Sequence, residues 1–141
     1  MEFEKMIFFA ILILCSIRDV RKREISGVFV AAGILYGLFY QIVRKEASFQ
    51  NIFIGCLPGI SLMALAILTE GKVGFGDGLV VLMGGMYFDL FDILWWIFVS
   101  FFLCACFGGI LIVLKKGNRK SELPFVPFLT VVAIMQGVIV R

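Results

Sequence analysis

The sequence predicts an all-α integral membrane protein with six transmembrane helices. Of its 141 residues, 62% are hydrophobic and only 16% are charged, whereas an ordinary soluble domain carries about 25% charged residues. The mean hydropathy is +1.07, and 16 of the residues are phenylalanine. A soluble fold of this length could not bury so much apolar surface, but a lipid bilayer accommodates it. We therefore expect the chain to lie in a bilayer and to have no nucleic-acid partner.

Six apolar segments account for the predicted helices. Their bounds are Phe3–Ile17, Ile25–Val43, Asn51–Leu68, Leu79–Phe88, Ile93–Leu114 and Phe125–Val140. The fourth segment is too short to cross alone and needs flanking residues, because a span takes roughly 20 residues. An alternative with five spans and a re-entrant fourth segment therefore stays open. No linker or repeat divides the chain, so residues 1–141 are expected to form one polytopic domain.

Lysine and arginine are distributed unevenly between the loops. In a six-span topology the first, third and fifth loops hold nine of the 13 basic residues. The positive-inside rule then places these loops in the cytoplasm and both termini outside. If the fourth segment did not span, the first and fifth loops would lie on opposite sides of the membrane. Both loops are basic, so the positive-inside rule favours six spans. The basic cluster at 18–23 follows the first apolar run, the reverse of a secretory signal, so we expect that run to remain as a membrane segment.

Two of the ten acidic residues, Asp19 and Asp77, each end or follow an apolar run on the predicted cytoplasmic side. Ionisable residues at such positions usually face a protein interior or a wet cavity, because a charge exposed to lipid costs a few kcal/mol. Two carboxyls held close rarely both ionise, and the resulting acid and base can activate water against an amide. Asp19 could instead pair with Arg18 or Arg23. Asp77 could simply cap a helix, as Asp92 is expected to do for the fifth.

Two backbone motifs accompany the aspartates. Glycines surround Asp77 in Gly74-Phe75-Gly76-Asp77-Gly78, where they permit positive φ and a close approach of an extended substrate strand. The stretch Leu123-Pro124-Phe125-Val126-Pro127-Phe128 stiffens the start of the last span on the same side. The chain has no histidine, and its four cysteines lie in apolar runs without metal-ligand spacing, as small buried hydrophobes do. No metal or other cofactor is expected.

Together these features resemble the type IV prepilin peptidases, membrane aspartyl proteases with a GxGD motif that include the archaeal preflagellin peptidases. The stretch 74–77 matches GxGD, and Asp19 with Ile25 six residues later resembles the family's D-x5-I-P-N region. Pro124-Phe125-Val126-Pro127 resembles its late PF-x-P motif. This chain departs from the family at two places: it has Ser26-Gly27 where the family usually has Pro-Asn, and Leu79 where the family usually has Lys. Without a paired-CxxC segment, the chain resembles the short forms found with tight-adherence (Flp-type) pili.

The resemblance implies an aspartic endopeptidase in the cytoplasmic membrane of a prokaryote, with its active site facing the cytoplasm. Asp19 and Asp77 would be the catalytic pair. The residues implied to bind substrate or shape the site are Gly74, Gly76, Gly78, Ile25, Pro124, Phe125 and Pro127. Substrates would be prepilins or pseudopilins whose short basic leader ends in glycine. Two other functions stay open: a small ion- or proton-coupled transporter or channel subunit, and an inactive relative that binds pilins.

Overall fold

The computed structural model describes residues 2–22, 25–44, 49–71, 73–114 and 123–139. Within these ranges the regular secondary structure is entirely helical. The helices are α1 (Glu2–Lys22), α2 (Gly27–Arg44), α3 (Phe49–Leu68), α4 (Phe75–Gly84), α5 (Leu90–Val113) and α6 (Val126–Ile139). Each predicted apolar segment overlaps one of these helices, so the all-helical prediction is confirmed.

The fourth and fifth helices begin earlier than the hydropathy pattern predicts. The backbone of Gly74 is extended, and α4 starts directly after it, so the Gly-rich stretch forms the first turn of the helix. The ten residues of α4 rise only about 15 Å. The prediction that Asp92 caps the fifth helix is wrong. The N-cap residue of α5 is Asp89, and Asp92 lies in the first turn, where a carboxylate still complements the helix dipole.

Two helices, α3 and α5, are long and apolar enough to cross a bilayer, with mean hydropathies of 2.1 and 2.5. The apolar stretches of α2, α4 and α6 are shorter. Large apolar side chains point outward from α5: Phe91 is 84%, Phe98 71% and Phe102 60% exposed. Contiguous apolar surface of this kind is unfavourable in water and favourable in lipid. The protein is therefore membrane-associated.

The end of α1 and the starts of α2, α4 and α6 lie together at one end of the helix bundle, here called the aspartate end. The backbone N–H of Val126, which begins α6, donates to Asp19 near the end of α1 at 3.2 Å. The side chain of Ile25, just before α2, packs against Gly76 in the first turn of α4. The starts of α2, α4 and α6 thus lie beside the end of α1, as the charge distribution predicts.

The opposite end of the bundle is joined by two glutamine side chains. Gln41, near the end of α2, donates to the carbonyl oxygen of Met86 at 2.8 Å. Gln136, near the end of α6, donates to the carbonyl oxygen of Asp92 at 3.3 Å. The segment 75–89 therefore runs from the aspartate end to the opposite end, whereas a re-entrant segment would return to its starting end. The hydrogen bond from Gln41 also satisfies a backbone carbonyl group of the non-helical turn after α4. In lipid such a group finds no water and needs a partner within the protein.

Helices α3 and α4 pack antiparallel through glycines. A Cβ atom on Gly59 would lie 2.5 Å from both the backbone nitrogen and the Cα of Leu82. A Cβ atom on Gly55 would lie 2.6 Å from the carbonyl oxygen of Gly85. Only hydrogen side chains permit this separation, so the sequence brings the two backbones into direct contact. This contact fixes α4 along α3.

The core between α1, α5 and α6 is built around Trp96. Its side chain is fully buried, and its indole N–H donates to the carbonyl oxygen of Leu129 at 2.7 Å. The ring of Phe8, from α1, lies edge-on to the indole with a centroid separation of 6.1 Å. Trp96 thus joins α1 and α6 through α5, and Thr130 on α6 also donates to the carbonyl oxygen of Leu12 on α1 at 3.4 Å. These contacts set the position of the α6 N-terminus relative to Asp19.

Candidate active site

Asp19 lies near the end of α1 with only 8% of its surface exposed. Its Oδ2 atom accepts the hydrogen bond from the Val126 N–H. Arg18, the alternative charge partner, is directed to the aromatic ring of Phe29, with its Cζ atom 5.7 Å from the ring centroid. Arg23, the other alternative partner, lies outside the described residues. The observed partner of Asp19 is therefore a helix N-terminus.

The proline-containing motif explains why the Val126 N–H is available. Pro127, the second residue of α6, has no N–H group. The backbone nitrogens of Phe128 and Leu129 both donate to the carbonyl oxygen of Phe125, at 3.0 and 3.2 Å. Of the first four residues of α6, Val126 alone therefore offers an N–H that no carbonyl of the same turn accepts. The motif presents one donor, and Asp19 accepts it.

Asp77 is the third residue of α4, with Gly74 as the N-cap residue. Its carboxyl folds back over that residue, because a Cβ atom on Gly74 would lie 2.5 Å from Asp77 Oδ2. No described residue donates a hydrogen bond to this carboxyl. Gly74 has a φ of −65°, and positive φ occurs among the described glycines at Gly71. The expectation of positive φ in the motif is thus not met. Glycine is needed at position 74 because the Asp77 carboxyl occupies the place where a side chain would begin.

Gly76 and Ile25, two residues predicted to shape the site, contact each other directly. A Cβ atom on Gly76 would lie 2.5 Å from Ile25 Cδ1 and 2.9 Å from Ile25 Cβ. On the other side of α4, a Cβ atom on Gly78 would lie 2.6 Å from Met63 Cγ. The glycines thus let α2 and α3 close on the first turn of α4, and this packing holds Asp77 in place.

We expect Gly76→Ala to destabilise the protein, because the added methyl group overlaps Ile25 on two atoms. Overpacking of this kind costs about 1–3 kcal/mol. Thermal unfolding in detergent would measure it, and Gly27→Ala is the matched control, since its Cβ would meet nothing within 4 Å. Ile25→Ala should be less harmful in the Gly76→Ala background than in the wild type. Equal costs in both backgrounds would mean that the two residues are not coupled.

The two aspartates interact electrostatically. The negative charge of Asp19 acts on the carboxyl of Asp77, although the two residues belong to helices far apart in the sequence. The charge of Asp77 also reaches the thiol of Cys104 on α5. The sequence predicted the aspartate pair, but it gave no role to Cys104 or to the backbone of Val126. The sequence does not indicate either role, because each depends on which side of its helix faces the aspartates.

A pair of carboxyls in this setting can divide acid and base functions. Asp19 accepts a hydrogen bond from a backbone N–H, which favours its ionised form, and its negative charge disfavours ionisation of Asp77. A pair with one ionised and one protonated carboxyl can remove a proton from water and supply one to a reacting group. Among the described residues, no three His, Cys, Asp or Glu side chains converge in a way that would hold a metal ion.

The helical fold and the apolar exterior define a membrane-associated protein, and two of its carboxyls lie at the same end of the bundle. The model of the type IV leader peptidase family matches residues 6–109, which include both aspartates, and the chain belongs to this family of peptidases. The matched region ends before the proline motif at 124–127. No match to the chain was found among curated proteins or among solved structures.

Proposed function

We propose that this protein is an aspartic endopeptidase that cleaves the short basic leader from prepilin or pseudopilin precursors, after glycine. The observation that carries the proposal is the position of Asp19 and Asp77 at one end of the bundle, where the start of α6 binds Asp19 and Ile25 packs on Gly76 next to Asp77. Both lie within the region matched by the leader peptidase family. A family of leader peptidases acts on precursor proteins, and a carboxyl pair is sufficient for amide hydrolysis.

In the proposed mechanism, the ionised carboxyl removes a proton from water while the water oxygen attacks the carbonyl carbon of the scissile peptide bond. The protonated carboxyl donates its proton to the carbonyl oxygen, which gives a tetrahedral diol. The carboxyl that took the water proton then passes it to the amide nitrogen, and the other carboxyl takes a proton from the diol. The C–N bond breaks, and a carboxyl group and an amine are released. The reaction consumes one water and needs neither a metal nor a covalent intermediate.

The remaining predicted residues are proposed to form the walls of the substrate channel. Gly74 is exposed next to Asp77 and carries no side chain, so an extended strand can approach the surface there. Gly76 and Gly78 shape the site by letting Ile25 and Met63 pack against the first turn of α4. Ile25 stands on one side of this surface through its contact with Gly76. Phe125, between Pro124 and Val126, stands on the side of Asp19, and Pro127 keeps the start of α6 rigid.

We propose that the chain is a single domain whose six helices all cross the cytoplasmic membrane of a prokaryote. The alternating directions of the described helices agree with this topology. The aspartate end would face the cytoplasm, because the loops on that side carry most of the lysine and arginine. Both chain termini would then lie outside. A leader peptide that has not crossed the membrane would meet the aspartates from the cytoplasmic side.

The function is tested by incubating the detergent-purified protein with synthetic precursors that carry a basic leader, a glycine and a hydrophobic segment. Mass spectrometry should find a single cut after the glycine. Stable binding of such precursors without any cut would favour an inactive pilin-binding relative. Proton flux through proteoliposomes, without any cleavage, would favour a transporter. Either result contradicts the proposal.

A further inference from the structure

We infer that the N-terminus of α6 assigns the roles within the aspartate pair: the Val126 N–H holds Asp19 as the ionised general base, and Asp77 carries the proton as the general acid. This inference rests on the proposed function, because it concerns the same two carboxyls. It goes further in making them unequal before the substrate arrives. It also gives the proline motif a role as a positioning element, acting through the backbone of Val126.

The case for Asp19 is geometric. Burial disfavours a charge on either carboxyl, but Asp19 receives a compensating hydrogen bond of 3.2 Å from the first residue of α6, and Asp77 receives none from the described residues. The N-terminus of a helix carries a partial positive charge, so it stabilises an anion at this position. The prolines and the turn bonds to Phe125 leave this single N–H directed at Asp19. A protonated Asp19 would gain less from the same contact, because hydrogen bonds to charged groups are the stronger ones.

The surroundings of Asp77 favour the opposite state. No described residue donates a hydrogen bond to its carboxyl, and the charge that acts on it is that of the Asp19 carboxylate. A neighbouring negative charge disfavours a second one. The thiol of Cys104, which the charge of Asp77 reaches on α5, supplies no compensating positive charge. Within the described residues, α2 and α3 bring no acidic or basic side chain to it.

The charged and titratable groups around Asp19 belong to α1 and α4. Within about one turn on α1 lie Cys15, Arg18, Arg21 and Lys22, and on α4 the carboxyl of Asp77 interacts with its charge. Arg18 is directed to the ring of Phe29. From α6 it meets only the backbone N–H, since that helix has no acidic or basic side chain among its described residues. The resting pair therefore holds one proton, on Asp77, and the first proton transferred to the substrate comes from there.

The first test removes the donor and little else. Val126→Pro deletes the N–H but keeps a small apolar side chain, and proline is well tolerated at the first position of a helix. Val126→Ala keeps the N–H and serves as the matched control. Activity requires an ionised Asp19, so losing the donor should move the acidic limb of the pH–kcat profile upward by about one to two pH units. The control should keep the midpoint of the wild type. Equal midpoints in both variants would overturn the inference.

The second test does not depend on turnover. A protonated carboxyl has an infrared carbonyl band that a carboxylate lacks. Each variant leaves one carboxyl of the pair, so the pH at which the band disappears reports that carboxyl alone. The band should disappear at a higher pH in Asp19→Asn, where Asp77 remains without a donor, than in Asp77→Asn, where Asp19 keeps the hydrogen bond from Val126. Equal midpoints, or the opposite order, would overturn the inference while the proposed function stands. A wild type that cleaves no precursor would contradict the proposed function, and the infrared assignment would still be readable.

Discussion

Asp77→Asn is expected to lower the cleavage rate of a prepilin-type precursor by about 10²–10⁴-fold, the usual contribution of a general acid or base. Asparagine has nearly the same shape as aspartate, so the carboxyl position over Gly74 stays filled. It also removes a carboxyl that faces the negative charge of Asp19, so the unfolding temperature should not fall. The measurement is kcat/KM from mass spectrometry of the two products, with the protein purified in detergent.

The matched control for this substitution is Asp89→Asn. Asp89 lies at the end of the bundle opposite the aspartates, is exposed and is the N-cap residue of α5, a position where asparagine serves as well. This variant should cleave at the rate of the wild type. If Asp77→Asn retained full activity, or if both variants lost activity equally, the mechanism based on the carboxyl pair would be wrong.

Gly59→Ala is expected to have the largest effect on folding. The added methyl group would lie 2.5 Å from two backbone atoms of Leu82, and backbone atoms cannot rotate away as a side chain can. Helices α3 and α4 must separate, at a cost near the upper end of the range of about 1–3 kcal/mol that overpacking usually brings. The midpoint of thermal or denaturant unfolding in detergent micelles would report this loss.

Gly109→Ala is the control for the helix-packing prediction. Gly109 lies within α5, and a Cβ atom there would meet nothing within 4 Å. Alanine should be neutral or slightly stabilising at this position, because glycine inside a helix costs about 1 kcal/mol relative to alanine. A loss of stability as large as that of Gly59→Ala would show that the effect is unrelated to contact between α3 and α4.

Much of the fold is predictable because hydropathy and charge act on whole segments. Six apolar runs mark the six helices, and the bias of lysine and arginine places three loops on one side. That sidedness allows Asp19 and Asp77 to be paired from the amino-acid sequence alone. Nothing in the sequence shows that Gly76 and Ile25 touch each other, although the family resemblance assigns both residues to the site.

Other features have no sequence signature. The hydrogen bond from Val126 to Asp19 uses a backbone group that every residue except proline possesses. Only the relative placement of α1 and α6, set by the packing around Trp96, makes that particular N–H the partner. The charge of Asp77 reaches Cys104, whereas Cys106 is exposed, and composition does not distinguish two cysteines in one apolar run. The early start of α4 escapes prediction because the glycines that begin it are typical of a loop.

The close contact of α3 with α4 also bears on how the protein enters the membrane. With ten helical residues, α4 covers about half of a hydrocarbon core. The turn that follows has backbone groups that lipid cannot satisfy. Under the proposed topology, α4 would insert poorly into the membrane by itself, and its packing against α3 removes part of its backbone from contact with lipid. The two helices are therefore expected to leave the translocation machinery together, as a preassembled hairpin.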